Sequence, residues 1–75
     1  MHCLKAFATG VTFEDCLLCV TLADGRTISA PLEWFPRLRD ATEAQRKNWR
    51  LIGGGVGIHW EDLDEDVSVA GLLAA

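Results

Sequence analysis

The chain has 75 residues, of which 49% are hydrophobic and 24% charged, with a net charge of −4 and three cysteines. That mixture excludes a disordered tail, and the acidic balance argues against a dedicated nucleic-acid binder, whose affinity comes mainly from neutralising phosphates. A single domain covering residues 1–75 fits the length. So small a domain buries only about 60–65% of its unfolded surface, so a homo-oligomer or a bound partner is expected to supply further burial.

No apolar run approaches the roughly 20 residues that span a bilayer, and the start, Met1 to Phe7, lacks a signal-peptide core. With an odd cysteine count the expected compartment is the cytoplasm, with no membrane association.

In chain order, residues 4–31 predict a three-stranded antiparallel meander. Phe7, Val11 and Phe13 share one face of a first strand, and Leu18, Val20 and Leu22 one face of a second. A turn at Glu14-Asp15 would pair Phe13 with Cys16, Val11 with Leu18 and Phe7 with Leu22. For the next turn, a three-residue loop Ala23-Asp24-Gly25, with Gly25 left-handed, pairs Val20 with Ile28 and Leu18 with Ala30. That is preferred over a two-residue loop pairing Val20 with Ser29, because it keeps one apolar face continuous.

Pro31 closes the third strand, and Pro36 opens a short helical turn reaching Ala41. Thr42 with Gln45 has the form of a capping box and predicts a second helix over Glu43 to Asn48. Trp49 to Ile52 and Val56 to Trp60 read as a hairpin turning at Gly53-Gly54-Gly55. Val56, Ile58 and Trp60 share one face of it, and Gly57, His59 and Glu61 the other. Ser68 is placed to cap a last short helix carrying Val69, Leu72 and Leu73. The predicted class is α+β: a three-stranded antiparallel meander, a short helical insert, a second β-hairpin and a short C-terminal helix.

Each candidate for chemistry has a plainer structural explanation. Cys16 and Cys19 have the Cys-x-x-Cys spacing, but on a strand residues three apart point to opposite faces, so the thiols diverge; Cys3 carries no signal of its own. Gly53, Gly54, Gly55 and Gly57 follow no phosphate-loop pattern and precede a strand, not a helix. His59 with Glu61, Asp62, Asp64, Glu65 and Asp66 is the richest group. Successive acids on an exposed loop nevertheless diverge into water, and their spacing fails the calcium-loop pattern. No nucleophile stands in an elbow context, the histidines being His2 and His59. Neither a catalytic residue, a cofactor nor a metal site is expected, and the chain is not read as an enzyme.

Binding is the better reading. Trp34, Trp49 and Trp60 are interleaved with Arg37, Arg46 and Arg50, the residue types that dominate protein-recognition hot spots. The expected partner-binding residues are Trp34, Arg37, Arg46, His59, Trp60, Asp62, Asp64 and Glu65.

Asp24-Gly25-Arg26, Pro31-Leu32, Trp34-Phe35-Pro36-Arg37-Leu38, Ala41-Thr42, Gln45-Arg46, Trp49, Gly55, Gly57-Ile58-His59-Trp60, Leu63-Asp64-Glu65-Asp66 and Leu72-Leu73 together resemble the bacterial family known as domain of unknown function 2442. The resemblance implies a bacterial cytoplasmic domain without established catalysis, found alone or fused to a helix-turn-helix segment, and often encoded beside another small protein in what looks like a toxin-antitoxin pair. The chain reaches Ala75 without a helix-turn-helix segment, so no DNA-reading role is expected of it. The resemblance supplies no residue roles.

The resulting expectation is a non-enzymatic protein-binding module, antitoxin-like, whose acids cover a small partner's basic or RNA-binding surface. The alternatives are a small-molecule-sensing adaptor with a groove bounded by Trp34, Arg37 and His59, and a metal-dependent hydrolase built on His59 and the acids.

Overall fold

Apolar residues recurring at every second position, Leu18, Val20 and Leu22 above all, build the first half of the molecule. The computed structural model describes residues 7–74; the predicted start of the meander before Phe7, with His2 and Cys3, lies outside the described residues. Strands β1 (Ala8–Glu14), β2 (Leu17–Leu22) and β3 (Thr27–Pro31) form an antiparallel sheet in that order. Val20 pairs with Ile28 and Leu18 with Ala30, as the three-residue loop requires. Gly25 is left-handed at φ +95°, and its amide donates to the Leu22 carbonyl at 3.0 Å.

The first hairpin differs from expectation by one turn position. Glu14 pairs with Leu17 around a two-residue turn, Asp15-Cys16, so that Phe13 lies opposite Leu18 and Val11 opposite Val20. Asp15 adopts φ +52°, a conformation that Asp tolerates better than most residues. Because the register changes by two, every side chain keeps its face. A bulge between Ala8 and Gly10 then adds one residue, and Ala8, not Phe7, stands inward opposite Leu22.

The helical insert follows its punctuation closely. A 3₁₀ turn, Leu32–Trp34, leads to α1 (Pro36–Arg39), with Pro36 at the first helical position where its missing N–H costs nothing. Helix α2 (Glu43–Lys47) opens with the complete capping box. Thr42 Oγ1 accepts from the Gln45 amide at 3.1 Å, and Gln45 Oε1 accepts from the Thr42 amide at 3.0 Å.

The second hairpin gains a third strand. Strands β4 (Trp49–Ile52) and β5 (Gly57–Trp60) pair as expected, with Gly53, Gly54 and Gly55 all at positive φ and Val56 in the turn. After a 3₁₀ turn, Glu61–Leu63, and a left-handed Asp64, the chain reverses into β6 (Glu65–Ser68), antiparallel to β5. The acidic stretch expected as an open loop is thus half strand. Glu65 and Val67 fall on one face, and Asp66 and Ser68 on the other. Helix α3 (Val69–Ala74) follows, and Ser68 Oγ accepts from the Gly71 amide at 3.0 Å.

The inner faces of the two sheets meet in one core. Val11, Leu18, Val20 and Leu22 pack with Ile58, Trp60 and Val67, and Leu32, Leu38, Val69 and Leu72 close its ends. Each such side chain contributes about 1.5–3 kcal/mol when fully buried. Backbone bonds stitch the sheets together: the Ala8 amide donates to Gly55 at 2.8 Å and the Val69 amide to Val56 at 3.0 Å. A Cβ at Gly55 would stand 2.7 Å from the Ala8 carbonyl, so this approach needs glycine.

Candidate functional site

Register places the polar residues of the second sheet in one row. Arg50 on β4, His59 on β5 and Asp66 on β6 are directly paired neighbours on the outer face, because Ile58 and Trp60 take the inner one. His59 Nδ1 faces Asp66 Oδ1, and Nε2 lies 3.3 Å from Glu61 Oε1, which also accepts from Arg50 Nη2 at 3.1 Å. The expectation that all the acids diverge is therefore corrected for Glu61 and Asp66. The cause is β6, which returns antiparallel and sets Asp66 beside His59. Period-two alternation across Glu65-Asp66-Val67-Ser68 was the available signal, masked by the density of charge. With carboxylates at both ring nitrogens, and a side chain only 17% exposed, His59 presents neither nitrogen to an incoming substrate. Among the described residues no three His, Cys, Asp or Glu side chains form a metal-binding set.

Three of the expected partner-binding residues are engaged within the fold. Trp60 is fully buried, donating from Nε1 to the Arg46 carbonyl at 2.9 Å and meeting Phe13 edge-on at 6.3 Å between ring centroids. It has no surface to offer a partner, because the β5 face carrying Ile58 and Trp60 turns into the core, while Val56, expected on that face, stands exposed in the turn before the strand. Arg46 donates from Nε to Leu38 at 2.8 Å and from Nη2 to Arg39 at 2.7 Å, and its guanidinium carbon stands 5.4 Å from the Phe13 ring centroid. It therefore satisfies the open carbonyl end of α1 and presses against an aromatic face. Arg37 donates from Nη1 to the carbonyls of Asp64 at 2.7 Å and Leu63 at 3.3 Å, holding the left-handed turn against α1. Of the residues expected to bound a groove, Arg37 is turned to those carbonyls and His59 lies on the outer face of the second sheet, where it meets Asp66.

Trp34, in contrast, is 55% exposed, and it stands at the lip of a groove of about 220 Å³ shared with Phe35, Asp66, Val67, Ser68, Gly71 and Leu72. Beside it Arg39 joins Glu33 at 2.9 Å and Asp40 at 3.0 Å. The hydrogen bonds from Arg39 hold the Asp40 carboxyl below the ordinary carboxylate range. Asp62 accepts from Asn48 Nδ2 at 3.0 Å. Among the described residues no cation pairs with the carboxylates of Asp62, Asp64 or Glu65.

A second, larger groove of about 390 Å³ escaped the sequence reading. Val11, Phe13 and Trp49 form its apolar wall, with Arg46, Lys47, Glu43 and Asp15 at its margin. It draws together β1, α2 and the first residue of β4, elements far apart in sequence, which no local pattern reveals. The cysteines behave as expected of divergent thiols: Cys16 is exposed in its turn and Cys19 is buried on β2.

Fold and site together define a small α+β domain of two three-stranded antiparallel sheets, with a polar row on one outer face and an exposed tryptophan at the helical insert. The chain belongs to the family described as protein of unknown function (DUF2442), whose profile matches residues 8–75. It is similar to the crystal structure of a protein of unknown function from Rhodospirillum rubrum, at 30% identity and a TM-score of 0.78, over 95% of this chain and 88% of that one. It is also similar to the solution structure of an uncharacterized protein from Chromobacterium violaceum, at 26% identity and a TM-score of 0.76, over 91% of this chain and 64% of that one. No curated protein matches the chain.

Proposed function

We propose that this protein is a non-catalytic, cytoplasmic protein-binding module of bacterial origin that engages a small basic partner, in the manner of the antitoxin member of a two-gene pair. The observation that carries the reading is Trp34, a large aromatic half-exposed at the end of a 3₁₀ turn beside a groove. A tryptophan at a groove lip is the type of side chain that anchors protein interfaces. Asp66, paired with His59, lines the same groove, and Asp64, whose carboxylate has no cation partner among the described residues, sits on the turn that Arg37 ties to α1, so the anchor has acidic neighbours. The carboxylates at both nitrogens of His59 speak for binding over proton-transfer chemistry.

The test is capture of a partner from the native host by the tagged protein, followed by titration of the purified pair. Trp34→Ala is expected to weaken binding about 30-fold or more, the effect of losing an interface anchor. Asp62→Asn, Asp64→Asn and Glu65→Gln together should weaken it and flatten its salt dependence. Unchanged affinity in both folded variants overturns the reading.

The groove of about 390 Å³ favours a second reading, a small-molecule sensor, because its size falls within that of small-ligand pockets. A ligand there must raise the thermal midpoint, and Trp49→Ala must abolish the shift.

A further inference from the structure

We infer that the outer face of the second sheet is the surface on which two copies of this chain pack, about a two-fold axis running along β5. The row of Arg50, His59 and Asp66 shares that face with a second row, Ile52, Gly57 and Ser68. Gly57 contributes no side chain, and Ile52 fills the space over it: a Cβ at Gly57 would stand 3.1 Å from Ile52 Cγ1. Val56 in the glycine turn is 52% exposed, and with Ala70 and Leu73 of α3 it extends the apolar surface from Ile52. Three separate elements thus converge on one apolar patch bordered by a charged row.

The charges on this face select a second copy as the occupant. A two-fold interface brings the same patch against itself, so it must complement itself. Arg50 and Asp66 stand on either side of His59, each about 4.8 Å from the middle strand. Rotation about β5 lays β4 of one copy over β6 of the other. Arg50 then faces Asp66 of the second copy, and Asp66 faces its Arg50, at the same height along the strands. Both side chains are well exposed and able to reach across. The two His59 rings meet near the axis, each already held between Asp66 and Glu61 of its own chain. Ile52, lying over Gly57 of its own chain, comes over Ser68 of the second copy, so the apolar part of the face also meets itself. A uniformly basic partner would confront Arg50 on this face, and a uniformly acidic one would confront Asp66 and Glu61.

This surface adjoins the Trp34 groove, sharing Asp66 and Ser68 with it, but self-association of the chain alone is read with no partner present, so its test stands apart from that of the proposed partner. Sedimentation equilibrium of the full chain, from micromolar to millimolar concentration, should show a reversible dimer. Val56→Asp and Arg50→Asp should each weaken dimerisation about tenfold or more. Combining Arg50→Asp with Asp66→Arg restores the complementary pair and should recover most of the loss. Far-UV circular dichroism identifies any variant that fails to fold; Val56→Asp, in an exposed turn, is the one that keeps the test decisive. A monomeric wild type overturns the proposal, as does a dimer indifferent to both Val56→Asp and Arg50→Asp.

Discussion

The two sheets each have three antiparallel strands, yet they are held by different means. The first is assembled from neighbours in sequence: each strand pairs with the next across two tight turns, and the recurrence of Leu18, Val20 and Leu22 marks its buried face. The second depends on distant groups. Trp60 reaches the carbonyl of Arg46, Arg46 reaches the end of α1, and Arg37 pins the turn that launches β6. Polar side chains that the composition suggests for recognition are used there as internal struts. Arginine suits this role because its planar fork satisfies several carbonyls at once while its stem lies on apolar surface.

Breaking the second sheet's network should therefore cost more than loosening the first sheet's turns. Trp60→Ala removes the largest fully buried side chain and is expected to destabilise the fold by about 3–5 kcal/mol in chemical denaturation. Gly55→Ala comes next. Its φ of +112° and its approach to Ala8 make the change worth about 1–3 kcal/mol in strain, with further loss from separating the sheets. Gly54→Ala, where an added Cβ meets nothing, is the control that isolates the approach from the conformation.

Arg46→Met keeps the apolar stem and abandons two carbonyls, which should cost about 1.5–3 kcal/mol. The signature to look for is loss of protection at the α1 and β5 amides in hydrogen exchange, with the first sheet unchanged. Gly25→Ala, confined to a local hairpin turn of the first sheet, should cost only about 1 kcal/mol.

The smallest effect is that of acid. The Arg26 amide and guanidinium, with the amide dominant, hold the Asp24 carboxyl below its usual range. A carboxyl whose pKa is lower folded than unfolded stabilises the fold above the ordinary carboxylate pKa. That stabilisation is lost as the pH falls through the folded value. Asp24→Asn should therefore flatten the dependence of stability on pH in this acidic window, and an unchanged slope would show that the turn does not draw on the charge.

The family resemblance was legible in the pieces Trp34-Phe35-Pro36-Arg37-Leu38 and Gly57-Ile58-His59-Trp60, and the family profile covers nearly the whole chain. The parts of the site were visible, but their assignments were not. Trp34 and Trp60 are alike in composition, and what separates them is that one ends a 3₁₀ turn at the surface while the other faces inward on a middle strand. His59 and Asp66 are seven residues apart, and their meeting depends on a chain reversal at a left-handed Asp64.

What the sequence determined by itself is a set of features governed by near neighbours: the second turn with Gly25, the capping box of Thr42 and Gln45, five of the six strands and the α+β class. These depend on backbone preferences and on alternation within a few residues. Only the tertiary structure decided which arginines became struts, which acids met the histidine, and where β1 and β4 left a groove. Those outcomes depend on long-range contacts between elements, and they are set by the geometry that lets both sheets bury their apolar faces together.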